Sequence, residues 1–411
     1  MDKKIIAIAL VAIIIVAGVA VVLLTGGSGG KDSGLSIVGR VNSEGSGLIL
    51  APGENPEDYI TETKEMPGFG AKFIYNESNK TYYVFHPEAW GGKVFATPGL
   101  ATIQHVQLME LVVEIMGLKF VSYTDTTVPA KDTVYHVAGV SSFADFENKR
   151  QTTPAIIGYI IWEAQYSVGL VKGYESLALT NDLFDGHTCC IIGTSNKYLE
   201  KNPDVAKAFL AVYCKAVDAV NYACEHTDST EYTNLIEIAS KRVAMPDSLT
   251  DAQKRHTIAL ALENVTYLYS DYPNGSLTHL TEDISALAES LYTAEQIEKS
   301  AKDLGFDSYD DLAKAFVKDS YLKDALKGSY TKLTQKTKIN VAAIAGDIHQ
   351  IAIWYAIDTK MFEEANLEIV IMGQGGGPAV FNLLMNGEAD FGFLGAPPMT
   401  IRSMNAEQIH A

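Results

Sequence analysis

The chain has 411 residues, of which 47% are hydrophobic and 20% charged, and its formal net charge is −18. This length is large for one domain and suits two lobes with separate cores, while the composition is that of an ordinary globular protein. The acidic charge argues against a nucleic-acid partner and against binding to an anionic membrane surface.

An uninterrupted apolar segment at residues 5–24 follows Lys3 and Lys4. A helix of about 20 apolar residues spans the hydrocarbon core of a bilayer. The two lysines predict a cytoplasmic N-terminus, so the rest of the chain is expected on the extracytoplasmic face. An uncleaved anchor is favoured over a cleaved signal peptide, whose apolar part usually has about 7–15 residues.

The elements that follow predict two lobes with an insertion. Residues 36–50 predict a strand and a Ser/Gly loop, and strand-like pieces occur at 72–75 and 81–85. Residues 201–225 form an amphipathic helix that begins at a proline. The predicted organisation is an anchor and tether over 1–34, a first-lobe strand with an inserted hairpin over 35–91, the second lobe over 92–185, the helical part of the first lobe over 186–330, and a linker with a βαβαβ unit over 331–411.

The C-terminal unit alternates strands and helices. Apolar strands are predicted at residues 339–344, 367–372 and 391–394. Pro378 suits the first position of a helix, and Gly387 suits its end. Strands and helices that alternate with short loops predict an α/β fold with a parallel sheet.

This segment resembles the start of the mature solute-binding proteins of ABC importers, in the nitrate, sulfonate, taurine and pyrimidine-precursor group. The matching motifs are MFEEANLEIVI at 361–371 and GEADFGFLGAPP at 387–398. Residues 36–50, 90–102 and 185–218 resemble later parts of the family, and all four regions become collinear after one cyclic shift. The resemblance implies a two-lobed, periplasmic-binding-protein type II-like fold that is circularly permuted. A fragment of a tandem array is the alternative.

The resemblance implies an extracytoplasmic protein that captures a small solute between its lobes and delivers it to an ABC transporter permease. The solute is expected to be anionic, sulfonate- or nitrate-like, or else pyrimidine-like, and neither an enzymatic activity nor a cofactor is expected. An enzyme that resembles the thiamine-pyrimidine synthases is the alternative, because His187 is followed by Cys189 and Cys190. An extracytoplasmic location argues against it, since such an enzyme needs a cytosolic cofactor supply.

Glycine turns provide the first candidate ligand site. They follow two predicted strands, where ligands of open α/β sheets bind, and N–H groups at helix N-termini suit an anion. A nucleotide is disfavoured, because the Gly-Lys-Ser/Thr ending is missing and Pro378 replaces a fingerprint glycine. A tight strand-to-helix turn is the structural alternative. The residues concerned are Gly375, Gly376, Gly377, Gly395 and Ala396.

Other candidates lie at strand ends or between the lobes. The resemblance makes the turn at Thr97, Gly99 and Thr102 the second side of the cleft, although Thr102 also suits a helix cap. Trp162 and Glu163 end an apolar strand, where they either line the cleft or belong to the core. The remaining candidates are Ser43 and Glu44, with a plain turn as the alternative, and His187, with a hinge-packing role as the alternative. His349 is also a candidate, because it follows the carboxyl end of a predicted strand.

The cysteines and sequons add two smaller expectations. Cys189, Cys190, Cys214 and Cys224 lack the spacing of a metal site and are predicted to be buried thiols. Sequons are plausible glycosylation sites behind an exported anchor. They begin at Asn76, Asn79, Asn264 and Asn274.

Overall fold

The computed structural model describes residues 34–124, 126–328 and 332–410. The strands are β1 (Leu35–Glu44), β2 (Ser46–Leu50), β3 (Ile60–Thr63), β4 (Lys72–Asn76), β5 (Thr81–Phe85), β6 (Val94–Ala96), β7 (Lys119–Ser122), β8 (Thr133–Val137), β9 (Ile156–Trp162), β10 (Glu175–Leu179), β11 (Thr188–Ser195), β12 (Val265–Tyr267), β13 (Thr337–Ile344), β14 (Leu367–Gln374) and β15 (Phe391–Gly395). The helices are α1 (Pro87–Trp90), α2 (Ile103–Glu110), α3 (Phe143–Thr152), α4 (Gln165–Val171), α5 (Thr180–Leu183), α6 (Asn196–Lys201), α7 (Pro203–Glu225), α8 (Thr230–Arg242), α9 (Asp251–Glu263), α10 (Thr278–Thr293), α11 (Tyr309–Phe316), α12 (Ser320–Leu326), α13 (Ile351–Asp358), α14 (Met361–Glu364), α15 (Gly377–Met385) and α16 (Ala396–Asn405). A π-helical turn, Leu111–Ile115, extends α2.

The first lobe is built on a six-stranded sheet with the order β12-β1-β11-β15-β13-β14. β13 lies parallel to both β14 and β15, as the alternating C-terminal pattern predicts, while β11 is antiparallel to β1 and β15. The sheet therefore joins the C-terminal unit to strands from the beginning and the middle of the chain. This arrangement confirms the predicted α/β class.

The second lobe is built on another six-stranded sheet, with the order β10-β2-β9-β6-β8-β7. β2 pairs with β9 and β10, so it belongs to this lobe, whereas the sequence grouped residues 35–91 with the first lobe. The difference arises at Gly45, where a φ of +82° redirects the chain between β1 and β2. The chain returns to the first sheet through α5 and residues 184–187.

The predicted insertion forms a small antiparallel sheet with the order β3-β5-β4. It is attached to the second lobe through Trp90, which is fully buried. The indole of Trp90 stacks on Phe95 of β6 at 4.9 Å, and its Nε1–H donates to the carbonyl oxygen of Tyr59. Aromatic burial on this scale contributes roughly 1.5–3 kcal/mol per side chain, which holds the insertion on this lobe.

The core of the first lobe forms where α7 packs on the sheet. Phe209 of this helix stacks on Phe391 of β15 at 4.3 Å, and Phe362 stacks on the other side at 5.5 Å. Tyr213, one turn later, contacts Phe393 edge to face. The i, i+4 spacing thus presents one aromatic face of the helix to alternate residues of the strand.

Residues from the two ends of the described chain meet in the first lobe. The N–H of Leu35 donates to the carbonyl oxygen of Gln408 at 2.7 Å. Within the described residues, no helix combines the length and apolar character that a membrane crossing requires. The predicted anchor at residues 5–24 lies outside the described part of the chain.

The asparagines of two of the four sequons have side chains that are hydrogen-bonded within the protein. Asn76 is 4% exposed and its side-chain amide donates to the carbonyl oxygens of Asn181 and Asp182. The amide of Asn264 donates to the Glu163 carboxylate at 2.7 Å. The exposed Asn79 and Asn274 stay predictions.

Candidate ligand-binding cavity

The two sheets face each other through corresponding edges. In the first lobe, the carboxyl ends of β13, β14 and β15 lie beside the start of β11, since Gly395 pairs with Cys190. In the second lobe, the ends of β6 and β9 lie beside the start of β2, since Ser46 pairs with Trp162. Ligands of open α/β sheets bind at such edges, which is why the sequence placed most candidate residues there.

A cavity of about 760 Å³ lies between the lobes. The second lobe contributes α2 and its π-helical extension, and the first lobe contributes α10 and the start of α16. The return crossing contributes Phe184 and His187. The volume of the cavity is in the range of ordinary small-molecule sites.

Gln107 lines this cavity from α2 and is 2% exposed. Neither its amide oxygen nor its amide nitrogen has a hydrogen-bond partner among the described residues. An unpaired buried amide costs roughly 1–3 kcal/mol, so the fold tolerates a cost at this position. Gln107 shares one face of the helix with Ile103, Glu110 and Glu114, which also line the cavity.

His187 lines the cavity from the return crossing. Its Nδ1 lies 2.8 Å from the carbonyl oxygen of Phe184, which only accepts, so the Nδ1 position carries the proton. Burial lowers the pKa of His187 to about 4, and the ring is therefore neutral near pH 7. Its Nε2 is then an acceptor, and it has no partner within the described part of the chain.

The first-lobe side of the cavity is acidic. Asp283 accepts a hydrogen bond from the Thr188 hydroxyl at 2.5 Å, and burial raises the pKa of its carboxyl. Glu110 on the opposite side is exposed, and partial desolvation of its carboxyl, and then the nearby Glu114, raise its pKa. No lysine or arginine is among the residues that line this cavity.

A second cluster of predicted residues surrounds the crossing at Gly45. The carbonyl oxygen of Gly45 accepts from His349 Nε2 and from the N–H of Glu163, both at 2.9 Å. His349 Nδ1 lies 2.7 Å from the Asp347 carboxylate. His349 and Glu163 are 1% and 0% exposed, so these side chains hold the hinge and do not line the cavity.

Ser43 and Glu44 connect the two crossings. The Ser43 hydroxyl donates to the carbonyl oxygen of His187 at 2.8 Å. The Glu44 carboxylate accepts from the N–H of Gly186 and from the Thr266 hydroxyl, both at 3.0 Å. Burial raises the pKa of Glu44. Their polar groups are thus used within the protein, at the end of β1.

Glu163 also links the lobes. Its carboxylate accepts from Asn264 of the first lobe and from the Ser167 hydroxyl at 2.9 Å. The adjoining Trp162 is half-buried and does not line the cavity. A nearby contact adds to this link, because the Gln165 amide donates to the carbonyl oxygen of Ala244.

The threonine turn of the second lobe is a helix cap. Thr102 accepts from the N–H of His105 and donates to the carbonyl oxygen of Gly99 at 2.7 Å. Thr97 is fully buried, and its hydroxyl lies 3.1 Å from His105 Nδ1. None of the three predicted residues of this turn lines the cavity.

The glycine turns have different environments. Gly375 is exposed, and Gly376 is the N-cap of α15, where a Cβ would meet only Pro378 Cδ, at 3.8 Å. A Cβ on Gly377 would lie 2.7 Å from Pro398, so this glycine allows α15 and α16 to approach closely. Ala396 lines the cavity, whereas Gly395 does not.

Of the predicted ligand residues, His187 and Ala396 therefore lie at the cavity, and most of the others lie at the hinge or in turns. Sequence reasoning missed Gln107, Glu110 and Asp283. Gln107, Glu110 and Glu114 recur at i, i+3 and i+7, which places them on one face of α2 and its extension and is a readable signal. No comparable signal marks Asp283, because α10 carries several acidic residues.

The cysteines lie beside this region without lining the cavity. Cys189 and Cys190 are 3% and 5% exposed, and their sulfurs are 3.7 Å apart. The four cysteines are unbonded, and three of them are buried. No group of three or more potential metal ligands occurs within the described ranges.

No family model and no curated protein matches the chain. Two solved structures are similar to it. One is the ligand-binding component of an ABC-type import system from Staphylococcus aureus with zinc bound, at 17% identity and a TM-score of 0.40 over 72% of this chain and 75% of that chain. The other is the periplasmic nitrate-binding protein NrtA from Synechocystis PCC 6803, at 12% identity and a TM-score of 0.39 over 72% and 68%. At these values, neither structure identifies the function of this chain.

Proposed function

We propose that this chain is an extracytoplasmic solute-binding protein that holds a small solute between two lobes. The observation that carries the proposal is the cavity of about 760 Å³, which is lined by both lobes and by the return crossing. Two chain crossings join the lobes, at Gly45 and at residues 184–187. A solute that contacts both sides would stabilise the closed arrangement relative to an open one.

His187 connects solute binding to the hinge in this proposal. It lies in the return crossing, its carbonyl oxygen accepts from Ser43, and its ring lines the cavity. A solute bound to Nε2 would therefore hold the crossing in one position. No bond of the solute is made or broken in this mechanism.

The partner and the location are part of the same proposal. The resemblance to importer components supports delivery of the solute to an ABC transporter permease. The apolar segment at residues 5–24 supports an anchor in the cell membrane, with both lobes on the extracytoplasmic side. Of the two predicted solute classes, the acidic lining favours a pyrimidine-like solute over a sulfonate or nitrate.

We also propose that the order of the chain is circularly permuted relative to these importer components. β13, β14 and β15 belong to the same sheet as β1, and Leu35 is hydrogen-bonded to Gln408. Both facts support the cyclic shift that the four motifs require.

Native mass spectrometry of the full chain, purified in a nonionic detergent, tests the function. We expect one small solute per chain, released on partial unfolding and rebound unchanged. Hydrogen exchange should then slow on rebinding at α2, at α10 and at the return crossing together. Conversion of the solute to a product would favour an enzyme. Protection confined to one lobe would contradict capture between the lobes.

A further inference from the structure

We infer that the solute of this cavity carries a protonated amine on an apolar body. The inference rests on the proposed function and specifies its ligand. Three features of the lining support it: unpaired acceptors, unpaired negative charge and an extensive apolar wall.

Among the described residues, three buried polar atoms of the lining are unpaired: the Gln107 amide nitrogen is a donor, and the other two are acceptors, which favour a ligand that donates hydrogen bonds. His187 offers its Nε2 lone pair, because Nδ1 is committed to the Phe184 carbonyl. The Gln107 amide oxygen is a second free acceptor within the described residues. An ammonium group has three donors and no acceptor, which suits these two positions.

The charge of the lining is negative on both lobes. Glu110 and Glu114 are one turn apart on the second-lobe side, and Glu289 lies on the first-lobe side. All three residues are exposed, and none of their carboxylates forms a hydrogen bond or ion pair with another described residue. Asp283 adds a fourth carboxylate. Because no lining residue is basic, an anionic ligand would be repelled and a cation attracted.

The remaining wall is apolar. Ile103, Val106 and Val113 line the cavity from the second lobe, and Ile284 and Leu287 face them from the first. This surface suits a hydrocarbon or aromatic body, which would be desolvated on closure. A small inorganic ion would leave it uncovered.

The alternative, an anion bound at a helix N-terminus, is poorly supported at the start of α16, which is the turn that reaches the cavity. α16 begins Ala396-Pro397-Pro398. Proline has no backbone N–H, so two of the first three residues of this helix cannot donate to an anion. The N-terminal turn therefore contributes its dipole with few donors.

Three probes of the same shape test the inference: 2-phenylethylamine, phenylacetamide and phenylacetate. Titration calorimetry of the full chain in nonionic detergent, freed of retained solute, should show the amine binding at least about tenfold more tightly than the acid. The amide should lie between them. An amine that binds no better than phenylacetate would overturn the inference, whether or not either one binds.

A charge variant with a matched control locates the effect. The double variant Glu110→Gln, Glu114→Gln should weaken amine binding about tenfold and leave the amide within about twofold. Glu231→Gln, Glu237→Gln changes the net charge equally on α8, which does not line the cavity. An equal loss in both double variants would show a general charge effect and overturn the assignment.

Gln107→Leu distinguishes a ligand contact from a structural role. Leucine removes an unpaired buried amide at similar volume, so the solute-free variant should melt at a higher temperature than the parent. Its affinity for 2-phenylethylamine should nevertheless fall by about tenfold. A variant that is less stable and binds equally well would show that Gln107 is only structural.

Failure of this inference differs from failure of the proposed function. A retained anionic solute that protects both lobes from hydrogen exchange would refute the amine and keep the solute-binding role. A chain that no retained or added solute protects at both lobes would refute both.

Discussion

His349 Nε2 lies 2.9 Å from the carbonyl oxygen of Gly45, the residue at which the chain passes from one sheet to the other. Its Nδ1 lies 2.7 Å from the Asp347 carboxylate, so both ring nitrogens face acceptors. Burial alone would lower the pKa of His349, but Asp347, the Cys189 thiol and the Gly45 carbonyl raise it to about 10. A charged ring of the first lobe thus binds the hinge residue, which also accepts from Glu163.

The first prediction concerns the charge of two histidines. At about pH 8, we expect His349 to be doubly protonated and His187 to be neutral with its proton on Nδ1. Long-range ¹⁵N–¹H correlation spectra of histidine-labelled protein distinguish these states. His349→Gln assigns the first signal by its loss. A neutral His349 at that pH would contradict the ion pair.

The second prediction concerns stability and pH. Because the folded pKa of His349 is raised, the pair stabilises the fold below about pH 6.5, and this contribution is lost as the pH rises towards about 10. Asp347→Asn should therefore lower the free energy of unfolding by roughly 3–5 kcal/mol near pH 6, and by less near about pH 10. Urea unfolding at both values measures the difference.

A surface pair provides the control for that experiment. Glu282→Gln removes the carboxylate beside His279, which is exposed, and should cost less than about 1 kcal/mol. The hydrogen bond from Cys190 lowers the pKa of Cys189, so the contribution of this thiol to stability grows as the pH rises, opposite to that of His349. If the stability lost in Asp347→Asn grew between pH 6 and about pH 10, the result would contradict a raised pKa for His349.

The third prediction compares two glycines with left-handed backbone. Gly45 and Gly53 have φ values of +82° and +99°. A Cβ on Gly45 would lie 2.5 Å from His349 Nε2, whereas a Cβ on Gly53 would meet nothing within 4 Å. Gly53→Ala should cost roughly 1–2 kcal/mol from backbone strain alone. Gly45→Ala should cost roughly a further 1–3 kcal/mol, measured by thermal unfolding. Equal losses of stability in the two variants would mean that the structure around Gly45 accommodates a Cβ without added strain.

The sequence identifies β13, β14 and β15 of the first lobe well, because their apolar runs are bounded by glycine and proline. It also locates α7 from its periodicity and its first residue, but β11 and β12 were not predicted. The membership of β2 was not predictable from local patterns, since it depends on the left-handed backbone of Glu44 and Gly45, where the chain passes between the sheets. Strand pairing is a long-range property that local propensity does not determine.

Most of the candidate site residues lie away from the cavity, for a physical reason. Polar residues at strand ends either face a ligand or bind each other, and the sequence does not distinguish the two. The Glu163 carboxylate accepts from Asn264, and His349 Nε2 contacts the carbonyl oxygen of Gly45. Both side chains therefore bind groups of the protein itself. Gln107 lies in mid-helix, where only the packing of the second lobe against α10 makes it part of a cavity.

The fourth prediction concerns a buried ion pair near the hinge. Arg40 Nη1 lies 2.6 Å from the Asp271 carboxylate, and the two side chains are 5% and 1% exposed. Arg40→Met would leave a buried carboxylate without its counter-charge and should cost roughly 3–5 kcal/mol in urea unfolding. Lys119→Met breaks an exposed pair with Asp132 and should cost less than about 1 kcal/mol. Similar losses in the two variants would show that Arg40 is not needed to balance Asp271.

The last prediction separates two adjacent glycines of the predicted anion site. Gly376 has an extended backbone, with φ of 167°, and the heavy atom nearest a Cβ there would be Pro378 Cδ at 3.8 Å. Gly376→Val should therefore fold with nearly unchanged stability. Gly377→Val should cost roughly 1–3 kcal/mol, because its Cβ would lie 2.7 Å from the rigid ring of Pro398.

Thermal unfolding of both variants checks this difference, and calorimetry with the retained solute adds a second readout. Because neither glycine lines the cavity, Gly376→Val should bind the solute within about twofold of the parent. A hydrogen bond to a charged group contributes roughly 1.5–3 kcal/mol, so a loss of tenfold or more in a fully folded variant would place an anionic group at this turn. The site would then be the glycine turn rather than the cavity beside α2 and α10.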